Sequence, residues 1–306
     1  MKNRIIVAVL ALAVMAFHTA ADEEVTPAHV YQAVDQLSAN VGLIREVMGR
    51  PEASADPWVV IDAQPRHVFY QALTLLRKAN RLADELGAAE RVAPPPLLEE
   101  EIAPANVLSV VSLARGQIDA VRHELGMTYG AEARDLDPGR EPRDVMREIV
   151  QASRQLNFLL DRQFKPEDVY GRLELAATYV AGALTEHESE LAYGRLPPFE
   201  PGKMPADVYR RVLECLELTT VIGEKHGISM LKLNLRRELR RRDIAPADVY
   251  DLATTLLSEL AYLTLVLDAR DVEAPPVERP RHVFPSHVYR LAGMLQDELA
   301  RLEALH

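Results

Sequence analysis

Residues 246–267 read PADVYDLATTLLSELAYLTLVL, and this stretch decides the fold class. Its apolar side chains recur with spacings of four, three, four, three and four at Val249, Ala253, Leu256, Leu260, Leu263 and Leu267. That spacing lines one face of an α-helix, whereas a half-buried strand would alternate at every second residue. Pro246 suits the first helical position, because its φ is already set and an N–H there would have no helical partner.

The same helix start occurs eight times along the chain. Each copy reads Pro-x-[His/Asp/Asn]-Val-[Tyr/Phe/Leu/Met], and the copies begin at Pro27, Pro65, Pro104, Pro142, Pro166, Pro205, Pro246 and Pro285. Each is followed by about three heptads, a pattern typical of helices that cross at roughly 20°. The sequence therefore predicts an all-α protein of eight amphipathic, heptad-patterned helices.

The distances between these prolines indicate two units. Successive intervals are 38, 39, 38, 24, 39, 41 and 39 residues, so one short interval separates two sets of four. The linker sequence Glu-Ile-Ala-Pro at 101–104 matches Asp-Ile-Ala-Pro at 243–246. We therefore expect two tandem, duplicated four-helix bundles over residues 22–163 and 164–306.

The linkers within each unit are long and rich in proline. They cover residues 51–64, 88–103, 127–141, 189–204 and 269–284. A fifteen-residue linker can reach ~50 Å, against ~33 Å for a 22-residue helix, so parallel helices are possible. The simpler arrangement is an antiparallel, up-down bundle whose loops fold over its ends, and the sequence favours it.

The N-terminus has the pattern of a secretory signal. Lys2 and Arg4 precede an uncharged apolar run at 5–17, small residues follow at 19–21, and Asp22 begins an acidic segment. The run is short for a membrane span, although an uncleaved anchor is the alternative. We expect residues 1–21 to be removed and the mature chain, without a membrane span, to be periplasmic or secreted.

Charge and cysteine content exclude several classes of protein. Without Lys2 and Arg4, the 35 basic residues become 33 against 46 acidic ones, a net charge of −13 that argues against a nucleic-acid partner. The single cysteine, Cys215, occupies a core position of its helix and is predicted to be a small buried hydrophobe. Because neither a haem motif nor a glycine-rich phosphate loop occurs, we expect no cofactor.

Two groups of histidines are candidate ligands. His29, His67 and His287, with Asn106, follow Pro-x in the repeated motif, where they are expected to serve the free N–H groups of the helix start rather than a metal or anion. The second group occupies the last heptad positions of three helices in the second unit and consists of His187, His226 and His306. Parallel helices would bring these three together as a metal site, whereas frayed helix ends are the simpler explanation.

The linker 231–243, LKLNLRRELRRRD, is out of character in an acidic protein. Its basic residues are Lys232, Arg236, Arg237, Arg240, Arg241 and Arg242. The equivalent segment of the first unit, residues 97–101, reads LLEEE. Opposite charges at equivalent places predict pairing within the protein or self-association, with an acidic partner protein as the next alternative and anionic lipid after it.

These observations favour a non-enzymatic, exported binding module that acts through its helix faces and long linkers. The alternative is a bundle protein that binds a small ligand or a metal, with its site at a bundle end or between the two units. An aromatic residue follows six of the eight motif valines, and it either seals a bundle end or lines such a cleft. The six are Tyr31, Phe69, Tyr170, Tyr209, Tyr250 and Tyr289.

Overall fold

A computed structural model describes residues 24–50, 58–95, 101–161, 163–185, 194–269 and 279–305. The helices are α1 (Pro27–Val47), α2 (Pro65–Glu85), α3 (Pro104–Glu124), α4 (Pro142–Leu159), α5 (Pro166–Thr185), α6 (Pro205–Lys225), α7 (Leu235–Glu238), α8 (Pro246–Val266) and α9 (Pro285–Leu305). Two short strands, β1 (Val60–Asp62) and β2 (Lys232–Leu233), complete the described elements. The all-α class is confirmed, and each motif proline is the first residue of a helix. The expected signal at 1–21 lies outside the described residues.

The long helices pack in two groups of four. Helices α1–α4 contact one another, and α5, α6, α8 and α9 form the second group. In the first group, α1 and α2 each contact both α3 and α4, so α1 faces α2 across the bundle. The second group repeats this arrangement, because α5 and α6 each contact α8 and α9. Six pairs of helices follow one another along the chain within the bundles. In four of them, α1–α2, α3–α4, α5–α6 and α8–α9, the two helices therefore lie diagonally opposite each other.

The predicted up-down order is wrong, because all four helices of each bundle start at the same end. The first bundle's motif prolines and valines together enclose a small apolar hollow, lined by Pro27, Val30, Pro65, Val68, Pro104, Val107, Pro142 and Val145. The equivalent eight residues of the second bundle enclose another hollow. Such a hollow requires four helix starts side by side. The physical reason lies in the linkers, which are long enough to travel back along a whole helix.

Four of the returning linkers are each held by a buried polar side chain thirteen residues after a motif proline. Asn40 accepts a hydrogen bond from Ala131 N at 2.8 Å, and Gln117 donates to Glu90 O at 3.1 Å. In the second bundle, carboxylates take this role and accept from linker N–H groups: Glu259 from Leu231 and Glu298 from Gly194. All four side chains are buried, with exposed fractions of 4% or less. Backbone groups that pack against a helix bundle need such partners, because unpaired buried groups are costly.

The residue after Pro-x closes every helix start in the same way. Its side chain accepts a hydrogen bond from the backbone N–H three residues earlier in all eight copies, at 2.7–3.1 Å. Asp, Asn and His share an acceptor atom two bonds beyond Cβ, which explains why these three residue types alternate here. An imidazole nitrogen accepts only when it carries no proton, so His29, His67 and His287 bond through unprotonated Nδ1.

The two bundles pack side by side in opposite directions. Arg66 of α2 lies beside Glu259 of α8, and Lys78 of α2 lies beside Asp251 of α8. Lys78 comes twelve residues after Arg66, but Asp251 comes eight residues before Glu259, so the two helices run in opposite directions. Strand β1, from the first bundle's first linker, pairs antiparallel with β2 of the basic linker. Among the described residues, α8 alone is long and apolar enough to cross a membrane. However, 67% of its most apolar 18-residue stretch is buried against the rest of the protein, as in a core helix.

We expect the thirteenth-position side chains to hold individual linkers in place. Asn40→Leu removes the acceptor of Ala131 N, so the linker 127–141 should open more often and be cut faster by trypsin after Arg134 and Arg140. Losing a buried hydrogen bond costs about 1–3 kcal/mol, which corresponds to a roughly 5- to 100-fold faster cleavage.

Gln117→Leu provides the matched control, because its side chain holds the linker between α2 and α3 instead. This variant should accelerate cleavage after Arg91 and leave cleavage after Arg134 unchanged. Equal acceleration at both linkers by either variant would indicate general unfolding and contradict linker-specific anchoring.

Candidate functional site: the interface between the bundles

Buried charges are concentrated where α2 and α4 face α8. At one end, Glu259 receives hydrogen bonds from Arg66 Nη1 at 3.1 Å and from Leu231 N at 3.0 Å, and His67 Nε2 lies 3.5 Å away. Arg66 also donates to Ser229 O. Burial by itself raises the pKa of Glu259, but His67, Arg66 and the Leu231 N–H outweigh it and lower the pKa. Glu259 is therefore held as a carboxylate.

The middle of the interface is a fully buried ion pair. Lys78 Nζ lies 2.7 Å from Asp251 Oδ1 and also donates to Ser153 O at 3.3 Å. Burial lowers the pKa of Lys78 and raises that of Asp251, because desolvation of each charge outweighs their mutual attraction. The pair joins α2 of the first bundle to α8 of the second.

The far end of the interface is a chain of alternating partners. Asp248 lies 3.6 Å from Arg154 Nε and 3.0 Å from Arg241 Nη2. Arg241 also donates to the Tyr209 hydroxyl, which in turn donates to Glu238 at 2.8 Å. The indole N–H of the buried Trp58 reaches the same hydroxyl at 3.2 Å. Burial and the adjacent Glu238 carboxylate raise the pKa of Tyr209 well above its usual value, so the hydroxyl keeps its proton.

Such an interface fixes orientation more than it adds stability. Desolvating paired charges costs about as much as their attraction returns, and an apolar replacement is often equally stable. A wrong register, however, would leave several charges buried without partners. The charge pattern therefore specifies how the second bundle lies against the first.

An open cleft of about 590 Å³, the inter-bundle cleft, adjoins this charged interface. It is bounded by the end of α4, by Leu160, Asp161, Gln163 and Phe164 of the junction, and by the start of α8. Its apolar wall includes Phe158, Phe164 and Ile244, and its polar groups include Arg154, Arg242 and Asn157. Phe158 is 41% exposed, and Asn157 Oδ1 is a buried acceptor without a hydrogen-bond donor among the described residues. The size and the mixed lining are those of small-molecule sites.

A second cleft of about 470 Å³, the arginine cleft, opens on another side of Phe164. Helix α2 supplies most of its wall, and Asp168 and Tyr250 complete it from the second bundle. Its basic residues are Arg77, Lys78, Arg81 and Arg91. Both clefts are thus formed by the packing of one bundle on the other.

The candidate histidines lie at helix starts or near the helix ends of the second bundle. His29 and His287 act at helix starts, as expected, while His67 does so and also enters the buried interface through Nε2. Parallel helices do place the ends of α5, α6 and α9 at one end of their bundle. Of the proposed metal ligands only the exposed His226 is described, and His187 and His306 lie outside the described residues. No group of three metal-ligating side chains occurs within the described part of the chain, and the metal hypothesis stays a prediction.

The basic linker has two different faces. Lys232 pairs with Glu224 at 2.6 Å, and Arg241 is half-buried among Asp248, Glu238 and Tyr209. Arg236, Arg237, Arg240 and Arg242 are exposed. Of the acidic segment 97–101, only Glu101 is described, so its predicted pairing with this linker stays a prediction. Pairing within the protein does hold for Lys232 and Arg241, through other carboxylates.

The repeated tyrosines and Cys215 have distinct surroundings. Cys215 is fully buried, as predicted, and burial raises the pKa of its thiol, so its nucleophilic form is suppressed. Tyr250 lines the arginine cleft, whereas Tyr209 is buried in the interface between the bundles and lines neither cleft. Tyr31, Tyr170 and Tyr289 lie on the flanks of their bundles, where arginine guanidinium groups cover the rings at 3.5–5.6 Å from the centroids. Their rings thus pack against arginine side chains from linkers or from a neighbouring helix.

Sequence reasoning missed most of the interface, including Lys78, Asp251 and Glu259. One signal was available, since the residue thirteen positions after the motif proline is polar in six of eight copies although it neighbours the core face. Those six are Asn40, Lys78, Gln117, Gln155, Glu259 and Glu298, and all six are buried. Which of them hold linkers and which join bundles could not be read from the repeat.

Comparison with known proteins adds no relative, because no family model, curated protein or solved structure matches this chain.

Breaking the central ion pair should be costly. Lys78→Met leaves the Asp251 carboxylate buried without its cation, and we expect a loss of about 3–5 kcal/mol in the free energy of unfolding. The double variant Lys78→Met/Asp251→Leu should recover most of this loss, because both desolvated charges are then gone. Urea denaturation measures both effects.

The exposed pair Lys225–Glu303 is the control, and Lys225→Met should cost less than about 1 kcal/mol. A double variant as unstable as Lys78→Met would show that the charges themselves stabilise the interface.

Proposed function

We propose that this protein is an exported, non-enzymatic binding protein that holds a small amphipathic ligand in the inter-bundle cleft. The observation that carries the proposal is the conjunction of the exposed ring of Phe158 and the buried, unsatisfied amide oxygen of Asn157 in one ligand-sized cleft. A half-exposed aromatic ring offers contact area to an apolar body. A buried acceptor without a donor favours a ligand that supplies an N–H or O–H group.

The surroundings of the cleft support binding without chemical conversion. Two of its three carboxylates are engaged by cations, since Asp161 bonds Arg50 and Asp248 bonds Arg241, and the third belongs to Asp243. The one cysteine of the chain lies buried in another part of the fold, in α6. The groups left facing the cleft are suited to orienting a ligand by shape, charge and hydrogen bonds.

The fluorescent probe 1-anilinonaphthalene-8-sulfonate, an aromatic anion, tests the cleft directly. Phe158→Ala should weaken its binding by roughly 2- to 10-fold, the range of a single aromatic contact. Phe199 is a matched control, because it is 46% exposed against 41% for Phe158 and does not line the cleft. Equal weakening by Phe158→Ala and Phe199→Ala would place probe binding elsewhere and contradict the proposal.

Native mass spectrometry of the protein purified from its own cells extends this test to the natural ligand. The expected mass lacks residues 1–21 and includes a ligand that dissociates on denaturation and is absent from Phe158→Ala. A full-length mass would contradict export. A bound mass kept by Phe158→Ala would contradict the site.

A second candidate function is docking of an acidic partner protein on the basic linker. The favouring observation is that the linker is fixed by β1–β2 pairing while Arg236, Arg237, Arg240 and Arg242 remain exposed on it. A fixed cluster of like charges on a chain of net charge −11 is costly without a use and gives electrostatic selectivity for acidic surfaces.

Charge reversal tests this candidate. The triple variant Arg236→Glu/Arg237→Glu/Arg240→Glu should lose any co-purifying acidic protein while its circular dichroism stays unchanged. Arg241 is left intact because it belongs to the buried interface, and Arg242 because it lines the cleft. Arg143→Glu/Arg210→Glu, two partly exposed arginines on other helices, should retain the partner, and loss in both variants would contradict a specific docking surface.

A further inference from the structure

Two arginines from different bundles share Tyr250 as a neighbour: Arg77 lines the arginine cleft together with Tyr250, and Arg172 is bonded to the Tyr250 hydroxyl. Arg77 projects from α2 of the first bundle, and Arg172 projects from α5 of the second. No ion pair joins either guanidinium to a carboxylate in the described part of the chain. Arg172 has one polar partner, since its Nη2 donates to the Tyr250 hydroxyl at 2.8 Å. Partial desolvation and then the neighbouring charge of Arg172 lower the pKa of Arg77.

The other cations that line the arginine cleft are already paired. Lys78 is bound to Asp251, Arg81 to Glu85 at 3.1 Å, and Arg91 to Asp84 at 2.6 Å. Asp168 uses its carboxylate to cap its own helix through Lys165 N. Among the described residues, Arg77 is thus the cation of the cleft lining that has no ion-pair partner, and Arg172 adds a second positive charge near Tyr250.

Aromatic rings hold the guanidinium groups beside the arginine cleft in place. Phe164 and Tyr250 are stacked with centroids 4.2 Å apart. The Arg81 guanidinium lies 4.8 Å from the Phe164 centroid, and that of Arg172 lies 5.3 Å from the Tyr250 centroid. Rings stacked against guanidinium planes restrict where the N–H groups can point. The Tyr250 hydroxyl accepts from Arg172 and still has its own hydrogen to donate.

We propose that Arg77 and Arg172, with the Tyr250 hydroxyl, form an oxyanion-binding site in the arginine cleft, suited to a phosphate or carboxylate group. Guanidinium groups bind both kinds of oxyanion through paired N–H donors. One bound anion replaces a repulsion between the two bundles by two charge-assisted contacts. Because neither arginine lines the inter-bundle cleft, this site is independent of the proposed ligand site, and either can fail without the other.

Removing the charge of Arg77 should have opposite effects on the melting temperature in the free and in the anion-bound protein. Without an oxyanion it removes a repulsion, and with an oxyanion it removes a contact to the ligand. In sodium chloride, Arg77→Gln should raise the melting temperature by about 2 °C, because it removes the charge that is repelled by Arg172. In wild-type protein, inorganic phosphate should raise the melting temperature above that in chloride of equal ionic strength, and sodium acetate tests the carboxylate form. Arg77→Gln and Arg172→Gln should each abolish these anion-specific increases.

Arg115→Gln is the control, because Arg115 also carries one positive charge but lies on α3, away from the cleft. It should keep the wild-type response. A response to phosphate alone assigns phosphate groups, and an equal response to acetate assigns oxyanions generally, and both support the site. Equal stabilisation by chloride, an undiminished phosphate response in Arg77→Gln, or a lower melting temperature of Arg77→Gln in chloride would overturn the proposal.

Discussion

The returning linkers are the constraint on which the rest of this structure depends. Because the four helices of each bundle start at one end, the chain must travel the length of a helix before each new one begins. Its backbone N–H and C=O groups then lie against the bundle, where they need partners other than bulk water. Asn40, Gln117, Glu259 and Glu298 supply those partners from within the helices. Polar residues at core-adjacent positions, usually a defect, are here a requirement of parallel packing.

Parallel order also has an electrostatic consequence. Four helix starts side by side bring the positive ends of four helix dipoles together, and four negative ends meet at the opposite end. The acceptor at every helix start, whether Asp, Asn or His, bonds an exposed N–H group there and offsets part of this cost. Packing the bundles in opposite directions places the positive end of one beside the negative end of the other. The pairs Arg66–Glu259 and Lys78–Asp251 then fix that orientation.

The two proposed sites follow from the same head-to-tail packing. Both clefts lie beside the buried ion pairs of the interface between the bundles. The exposed ring of Phe158 and the adjacent charges of Arg77 and Arg172 are unfavourable in the free protein. Unfavourable features that persist in an otherwise well-packed fold are commonly found where a ligand compensates them.

The sequence by itself determined the elements of this protein. Proline at the first helical position, an acceptor two residues later and the four-three spacing of apolar residues act locally, so all eight helix starts could be predicted to the residue. Burial of Cys215 and the short distance between the fourth and fifth helices follow from the same local pattern. The direction of the helices could not be predicted in this way, because linkers of fourteen to twenty residues are compatible with parallel and with antiparallel helices. The simpler antiparallel order was expected, and it was wrong.

Only the tertiary structure decided which polar residues meet. Lys78 and Asp251 are separated by 173 residues, and their pairing depends on which helix faces the other bundle and in which direction it runs. The same holds for Arg77 and Arg172, whose proximity exists only once the bundles have packed. In six of the eight copies the residue thirteen positions after the proline is polar. The repeat did not show that Asn40, Gln117 and Glu298 bond linkers, that Lys78 joins the bundles, or that Glu259 does both. Long-range contacts are set by the packing of whole surfaces, and a repeated sequence that makes all helices alike carries little information about their partners.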